Sequence, residues 1–195
     1  MELILASQSP RRRELLAQMG LRFTVHAADI DETMDPGLPA GQEVARVSRA
    51  KALAIVRGPE DVVIAADTVV VCQGKILGKP HTPERAVEML ELLSGRDHQV
   101  LTGCTVLRGE TVLSHLETTH LYFRPLSAEE IAAYVATGEP LDKAGAYGIQ
   151  GLGGLFVRRL EGDYYNVMGL PLCALTGLLR QVGVPVLGTC EEVRP

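Results

Sequence analysis

A carboxylate interrupts an apolar run that is typical of a buried strand: Asp67 stands near the middle of residues 62–71. Burying an ionised group is costly unless it is paired or bound to metal. Two interpretations stay open, since aspartate also commonly turns the chain between two strands. If Asp67 faces a cleft instead, its partners should be cations, and Arg12, Lys51 and Lys79 are the candidates together with a divalent metal ion.

A basic segment at residues 7–12 follows a predicted strand and opens a helix. Ser9 suits the N-cap and Pro10 the first helical position. Free backbone N–H groups would therefore lie beside arginine side chains, which favours phosphate binding. Arg12 falls on the apolar face of this helix, where a charge needs a reason. A solvated basic turn is the plainer alternative.

Two lysines raise the same question. Lys51 shares a helical stripe with Val44, Val47 and Ile55, which places its ammonium group on an apolar face. A long lysine stem can also simply extend past such a face to water. Lys79 follows a predicted strand, where it could reach a phosphate or merely cap a turn.

An acidic segment precedes the second helix. Asp29, Asp31 and Glu32 could donate oxygen ligands to Mg²⁺, which is a hard cation. Such a run is more often a solvated loop, and that is the default interpretation for Asp29 and Asp31.

A glycine-rich segment lies towards the carboxyl end. Eight of the twenty glycines fall between Gly138 and Gly169, which indicates tight turns or a backbone that closely approaches another group. Within residues 142–151, Gln150 could recognise a base edge because its amide offers one acceptor and two donors. Alternatively, this glutamine faces water in a plain connection.

The elements that must position these residues alternate in type. The first sixty residues have the pattern strand, helix, strand, loop, helix, and an apolar strand follows at 62–66. We therefore predict an α/β fold with a mixed twisted sheet and flanking helices. Residues 1–195 would form one domain, with two lobes around a cleft.

Local signals place the later elements. Residues 82–95 form a helix with caps at both ends, and 98–123 alternate as a long β-hairpin around a central turn. Ser127 and Glu130 form a capping box for the next helix. A final apolar helix is expected over about 170–182.

Composition excludes several classes of protein. The net charge of -5 argues against a non-specific nucleic-acid binder. No apolar run approaches membrane-spanning length, so no membrane partner is expected. The four cysteines form no CxxC pair, which favours a reducing, cytoplasmic location over a disulfide framework or a zinc cage.

Taken together, these segments resemble the Maf family of house-cleaning nucleotide pyrophosphatases. The resemblance runs through nearly the whole chain and rests on six ordered motifs. They are LASQSPRRRELL at 5–16, ARVSRAKA at 45–52, AADTVV at 65–70, LGKP at 77–80, LSGRDHQVLTG at 93–103 and DKAGAYGIQGLGG at 142–154.

This resemblance implies hydrolysis of a nucleoside triphosphate between its α and β phosphates, with help from a divalent cation, Mg²⁺ or Mn²⁺. Asp67 would be the proton acceptor that activates water or holds the metal, and Glu32 would assist with metal. The residues expected to bind the phosphates are Ser7, Arg12, Lys51 and Lys79. A homodimer is a further expectation at the level of the family.

Three positions of the resemblance mark the substrate. Arg11, Thr68 and Gln150 match the branch that acts on dTTP and UTP rather than on 7-methyl-GTP. A glutamine can accept from the N3–H of uracil or thymine and donate to a carbonyl, although the flipped amide would also suit cytosine. Modified uridine triphosphates are an alternative substrate class. A nucleotide-binding regulator of cell division without turnover is the alternative from a different class.

Overall fold

The computed structural model describes residues 1–35 and 37–187; Cys190 and the rest of the last eight residues lie outside them. Its centre is a seven-stranded mixed sheet of order β2-β1-β3-β5-β6-β7, with the short β4 also paired to β3. The strands are β1 (Leu3–Leu5), β2 (Thr24–Val25), β3 (Val62–Cys72), β4 (Lys75–Leu77), β5 (Asp97–Arg108), β6 (Thr111–Phe123) and β7 (Val157–Glu161). β1 runs parallel to β2 and β3, and the other pairs are antiparallel.

Helices flank this sheet, which confirms the predicted α/β class. They are α1 (Pro10–Gln18), α2 (Ala40–Leu53), α3 (Pro83–Leu93), α4 (Ala128–Ala136), α5 (Tyr164–Met168) and α6 (Leu172–Gln181). Within the described part of the chain, none of them combines the length and apolar character that a membrane span requires.

The predicted caps are present. The Ser9 hydroxyl accepts from the N–H of Arg12, and Ser127 and Glu130 form both bonds of the capping box. The hairpin of β5 and β6 also lies where alternation placed it. The final helix begins slightly later than expected, at Leu172, because Pro171 supplies its N-cap.

One open alternative is settled here: Asp67 does not turn the chain. β3 continues through it without a break from Val62 to Cys72, so it includes both the strand predicted at 62–66 and the apolar residues that follow Asp67. Asp67 pairs in register with Gly103 of β5, which keeps the backbone extended. A central strand that is covered on both faces explains the nearly continuous apolar run.

The core forms several clusters on the sheet. One contains Leu16, Ile64 and Leu179 from α1, β3 and α6, and another contains Leu90 and Leu121 from α3 and β6. The sheet is continuous between these clusters. A division into two lobes around a cleft stays a prediction.

Candidate active site

The candidate site lies where one edge of β3 is left open. On this edge β1 pairs with Val62–Ile64 and β4 pairs with residues 70–72. Among the described residues no strand covers positions 65–69 here, although β5 pairs along the opposite edge. β1 ends at this gap and its chain enters α1, so polar groups gather at the carboxyl end of a parallel strand, where α/β proteins commonly bind ligands.

Arg12 reaches from the first turn of α1 into the gap. Its Nε donates to the carbonyl oxygen of Gly169 at 2.7 Å, and its Nη2 donates to Thr68 Oγ1 at 2.9 Å. A longer bond of 3.4 Å joins Nη1 to Ser7 Oγ, which also accepts the N–H of Ser9. The guanidinium is therefore held in one orientation by groups from three separate segments.

The charged guanidinium of Arg12 lies in a partly buried environment, which disfavours the charged form. Burial lowers the pKa of Arg12 from its ordinary value, while the nearby Asp67 carboxylate acts in the opposite direction. Arginine remains protonated despite such a shift. The molecule thus keeps a fixed positive charge beside Asp67, and the interpretation as a solvated basic turn does not apply to Arg12.

A chain of hydroxyl groups continues from Arg12 into the sheet. Thr68 Oγ1 lies 2.9 Å from Thr102 Oγ1, and Thr102 lies 3.2 Å from the carbonyl oxygen of Asn166. A hydroxyl has one proton to donate. Because Thr102 donates to Asn166, Thr68 must donate to Thr102 while it accepts from Arg12.

Lys51 enters the site from α2, which lies very close to β5. A Cβ atom built on Gly103 would stand 2.4 Å from the carbonyl oxygen of Val44, so only glycine fits beneath the helix. Further along α2, Ser48 Oγ lies 2.9 Å from Thr105 Oγ1 of β5. These contacts fix the distance between α2 and β5, the strand that pairs with Asp67.

Lys51 joins two carboxylates. Its Nζ lies 2.8 Å from Asp67 Oδ1 and 2.8 Å from Glu32 Oε2. Lys51 and Asp67 are each 7% exposed, whereas the side chain of Glu32 is 55% exposed. The ammonium therefore does not extend past the apolar face to water, because a buried carboxylate holds it.

The loop that carries Glu32 is tied to α2. The buried Glu43 accepts the N–H of Asp35 at 2.8 Å and two bonds from Arg46, whose Nη2 also donates to the carbonyl oxygen of Thr33. These bonds, chiefly those of Arg46, lower the pKa of Glu43 to about 2. By contrast, the nearby Asp29 and Asp31 are exposed, as the default interpretation expected.

The resemblance implies a divalent metal ion, and the acidic side chains of the site can be compared with the ligands that such an ion uses. The described residues contain no cluster of three or more histidine, cysteine, aspartate or glutamate side chains suited to a metal ion. Mg²⁺ commonly uses one or two carboxylates and takes its other oxygens from phosphates and water. Asp67 and Glu32 converge on one cationic group and are chemically suited to that role.

Lys79 takes a different position from the other candidate cations. It is exposed and follows β4, and within residues 1–35 and 37–187 Asp67 forms its ion pair with Lys51 rather than with Lys79. The neighbouring Gly78 accepts the N–H of Gly145 at 3.1 Å. This bond places the Lys79 segment beside the glycine-rich segment.

The glycine-rich segment also approaches α1. Arg11 Nη1 lies 3.8 Å from Asp142 Oδ2, and Gln150 is exposed further along the same segment. The three positions expected to mark the substrate therefore have different settings. Arg11 pairs with this segment, Thr68 bonds to Arg12, and Gln150 faces outward.

Several supporting residues were missed from the sequence. Thr102 and Asn166 are unremarkable in a strand and a short helix, so nothing local marks them. Gly103 did carry a signal, because an isolated glycine within a strand often marks a close backbone approach. Glu139, which accepts the N–H groups of Leu152 and Gly153, also carries no local signal in the sequence.

Comparison with known proteins shows the family to which this chain is related. The family model described as Maf-like protein matches residues 2–182. A protein of Moorella thermoacetica named dTTP/UTP pyrophosphatase is 52% identical over 191 residues, which cover 96% of this chain and 98% of that protein. One of Halalkalibacterium halodurans with the same name is 52% identical over 182 residues, covering 93% and 96% of the two chains.

A solved structure supports the fold alone. The Staphylococcus aureus Ham1 protein superposes with a TM-score of 0.50 at 15% sequence identity, over 93% of this chain and 99% of that one. The two chains therefore share an overall fold. On the match over residues 2–182 and the relatives at 52% identity, this chain belongs to the Maf family.

Proposed function

We propose that this chain hydrolyses dTTP and UTP to the nucleoside monophosphate and pyrophosphate. The observation that carries the proposal is the convergence of Lys51 and Glu32 on Asp67, beside Arg12, at the open edge of β3. This arrangement offers fixed positive charges for a triphosphate and a carboxylate for water. The printed names of the relatives at 52% identity support the same activity.

The phosphates are bound by the basic groups around the start of α1. Arg12 is already oriented by Gly169 and Thr68, so little ordering is needed when an anion binds. Ser7 and the N–H groups of the first turn add donors. Lys79 is exposed, and its long side chain would bind the outer phosphates.

Asp67 acts as the proton acceptor. Its Oδ1 is engaged by Lys51, and Oδ2 takes the proton of a water molecule that attacks the phosphorus atom of the α phosphate. The bond from that phosphorus to the α–β bridging oxygen breaks, and the electron pair leaves with pyrophosphate. Arg12 and Lys51 stabilise the negative charge that develops during this step.

A divalent cation, Mg²⁺ or Mn²⁺, belongs to this proposal. Asp67 and Glu32 would hold it, and it would supply further positive charge to the triphosphate.

Of the three marker positions, Gln150 and Arg11 are assigned to base selection and Thr68 to the support of Arg12. Gln150 accepts from N3–H of uracil or thymine and donates to a neighbouring carbonyl. Arg11 holds Asp142 at the start of the same segment. Thr68 contributes by keeping Arg12 in place. The proposed setting is the cytoplasm, with a homodimer as the assembly and with neither nucleic acid nor membrane as a partner.

A panel of nucleoside triphosphates tests this function. With Mg²⁺ or Mn²⁺ present, dTTP and UTP should yield pyrophosphate, whereas release of orthophosphate would place the cleavage at another bond. Asp67→Asn should lower kcat by about a thousandfold or more while nucleotide binding persists. Asp61→Asn is the control, because this carboxylate accepts the backbone N–H groups of Glu2 and Gly58 at the start of β3, away from the site.

Three outcomes would contradict parts of the proposal. Full activity in Asp67→Asn would remove its assigned role. Tight nucleotide binding by folded wild-type protein without any pyrophosphate would favour the regulator of cell division instead. A higher kcat/KM for modified than for canonical uridine triphosphates would move the substrate to that class.

A further inference from the structure

The carboxylate of Glu139 lies at the centre of the glycine-rich segment. Its Oε1 accepts the N–H of Gly153 at 3.2 Å and the hydroxyl of Tyr134 at 2.9 Å, and its Oε2 accepts the N–H of Leu152 at 3.0 Å. Three donors therefore meet one carboxylate, and two of them belong to the backbone just after Gln150.

Tyr134 of α4 holds the other side of Gln150. Its hydroxyl donates its proton to Glu139 and accepts the N–H of Gly148 at 3.1 Å. Burial, with a smaller contribution from the adjacent carboxylate, raises the pKa of Tyr134, so the hydroxyl stays protonated. The backbone is thus fixed two residues before and two residues after Gln150.

Two glycines of the segment, Gly151 and Gly153, are explained by these two side chains. A Cβ atom on Gly151 would stand 2.5 Å from Glu139 Oε2, and one on Gly153 would stand 2.7 Å from the Tyr134 hydroxyl. Neither glycine has a positive φ angle. Space rather than backbone conformation therefore requires glycine, since the segment wraps directly around Glu139 and Tyr134.

The same residue anchors the start of the segment. Lys143 Nζ donates to the backbone carbonyl of Glu139 at 2.6 Å and to Asp142 Oδ1 at 2.7 Å. Asp142 in turn pairs with Arg11 at the first turn of α1. One network therefore links Glu139 to two of the three positions that mark the substrate.

We infer that Glu139 and Tyr134 are positioning residues for base recognition: they fix the backbone on both sides of Gln150 and thereby set affinity and selectivity for the pyrimidine base. The inference rests on the proposed function, because it takes Gln150 as the residue that contacts the base. Neither side chain has to touch the substrate. An exposed glutamine on an unanchored glycine-rich segment would lose much of its binding energy to ordering of the chain.

The decisive variant is Glu139→Gln, which keeps the size of the side chain but replaces an acceptor oxygen by a donor NH₂ group. We expect KM for UTP to rise about tenfold or more, since one of the two backbone N–H groups just after Gln150 then loses its acceptor. The kcat at saturation should stay within about threefold, because Asp67 and Lys51 are untouched. The kcat/KM ratio of UTP to CTP should fall about tenfold.

Tyr134→Phe is the second variant. It is expected to fold, and it tests the inference if Glu139→Gln does not fold. The ring still packs on Phe156, whose centroid is 5.0 Å away, while the acceptor for Gly148 is lost. Its changes should have the same direction and a smaller size. Asp61→Asn is the matched control, since it also removes a carboxylate that accepts two backbone N–H groups but lies far from Gln150.

Binding of UMP and CMP, measured by calorimetry, separates this inference from the proposed function. Failure of wild-type protein to hydrolyse UTP or dTTP overturns the proposed function. The ratio of variant to wild-type Kd for UMP would still measure the positioning effect, because it does not depend on hydrolysis. Folded variants whose KM, Kd and selectivity match those of Asp61→Asn would overturn the inference. Loss of kcat without a change in KM would overturn it too.

Discussion

Arg12 Nη2 donates a hydrogen bond of 2.9 Å to the hydroxyl oxygen of Thr68. The residue expected to mark the substrate is therefore a direct support of the residue expected to bind phosphate. The Thr68 hydroxyl donates its one proton to Thr102. It can therefore only accept a hydrogen bond from a ligand. This direction of the hydrogen bonds makes Thr68 an acceptor within the candidate site.

Replacing Thr68 by the isosteric valine tests this support. Arg12 would lose an acceptor in a half-buried setting, and a hydrogen bond to a charged group contributes about 1.5–3 kcal/mol. We expect kcat/KM to fall about 10-fold to 100-fold for every pyrimidine triphosphate, as measured by pyrophosphate release.

Thr68→Ser is the control, because it retains the hydroxyl and should keep most of the activity. A fall confined to one base, with the others unchanged, would instead assign Thr68 to direct base recognition.

The acidic pair makes a prediction about metal. Glu32→Gln should raise the Mn²⁺ concentration needed for half-maximal activity by about tenfold or more, since a charged ligand oxygen is lost. Stability should change little because the Glu32 side chain is largely exposed where it meets Lys51. Titration of Mn²⁺ into protein stripped with EDTA measures the effect.

Asp31→Asn is the matched control, since Asp31 is an exposed neighbour whose carboxylate accepts the N–H of Thr33 within its own loop. Identical metal titrations for Glu32→Gln and wild type would remove Glu32 from the metal site.

Close packing of α2 makes a prediction about stability. In Gly103→Ala the added methyl group would meet the backbone of Val44, so α2 must shift. We expect a loss of about 1–3 kcal/mol in the free energy of unfolding. The kcat should fall as well, because α2 carries Lys51. Urea denaturation and pyrophosphate release measure the two effects.

Gly177→Ala is the counterpart within α6, where a Cβ atom would meet nothing within 4 Å. Alanine favours a helix over glycine by up to about 1 kcal/mol, so this variant should be slightly more stable and fully active. Equal stabilities for the two variants would contradict the close approach at Gly103.

Local chemistry explains which parts of the fold could be predicted from the sequence. The caps at Ser9 and Ser127 depend on residues three positions away, and both were found as expected. The continuation of β3 through Asp67 was not decided, because aspartate is equally at home in a turn. Only pairing with the distant β5 settles that question.

The sequence predicted which residues form the candidate site, but not the ion pairs and hydrogen bonds that join them. Lys51 was a candidate partner of Asp67 because it broke an apolar stripe, and the ion pair explains that anomaly. Lys79 carries the same charge, yet it lies exposed beside the glycine-rich segment. Thr102 could not be singled out, since threonine in a strand is ordinary and its role depends on a bond to Thr68 across the sheet.

A buried histidine makes the stability of the protein depend on pH. Burial lowers the pKa of His98 to about 4, although Asp97 acts in the opposite direction. His98 Nε2 lies 2.9 Å from the hydroxyl of Tyr147, and the ring packs edge-on against Phe123. An unfolded histidine has a pKa of about 6.5. Between these two values the unfolded chain binds a proton that the folded chain does not.

Stability should therefore fall as pH decreases from about 6.5 to about 4, by up to about 3 kcal/mol from this residue alone. In His98→Gln that component is absent, so the advantage of wild type over the variant should shrink steadily as pH is lowered from 7 to 4. Urea denaturation at several pH values measures it. Parallel pH profiles for His98→Gln and wild type would instead mean that His98 binds its proton equally well in the folded protein and in the unfolded chain.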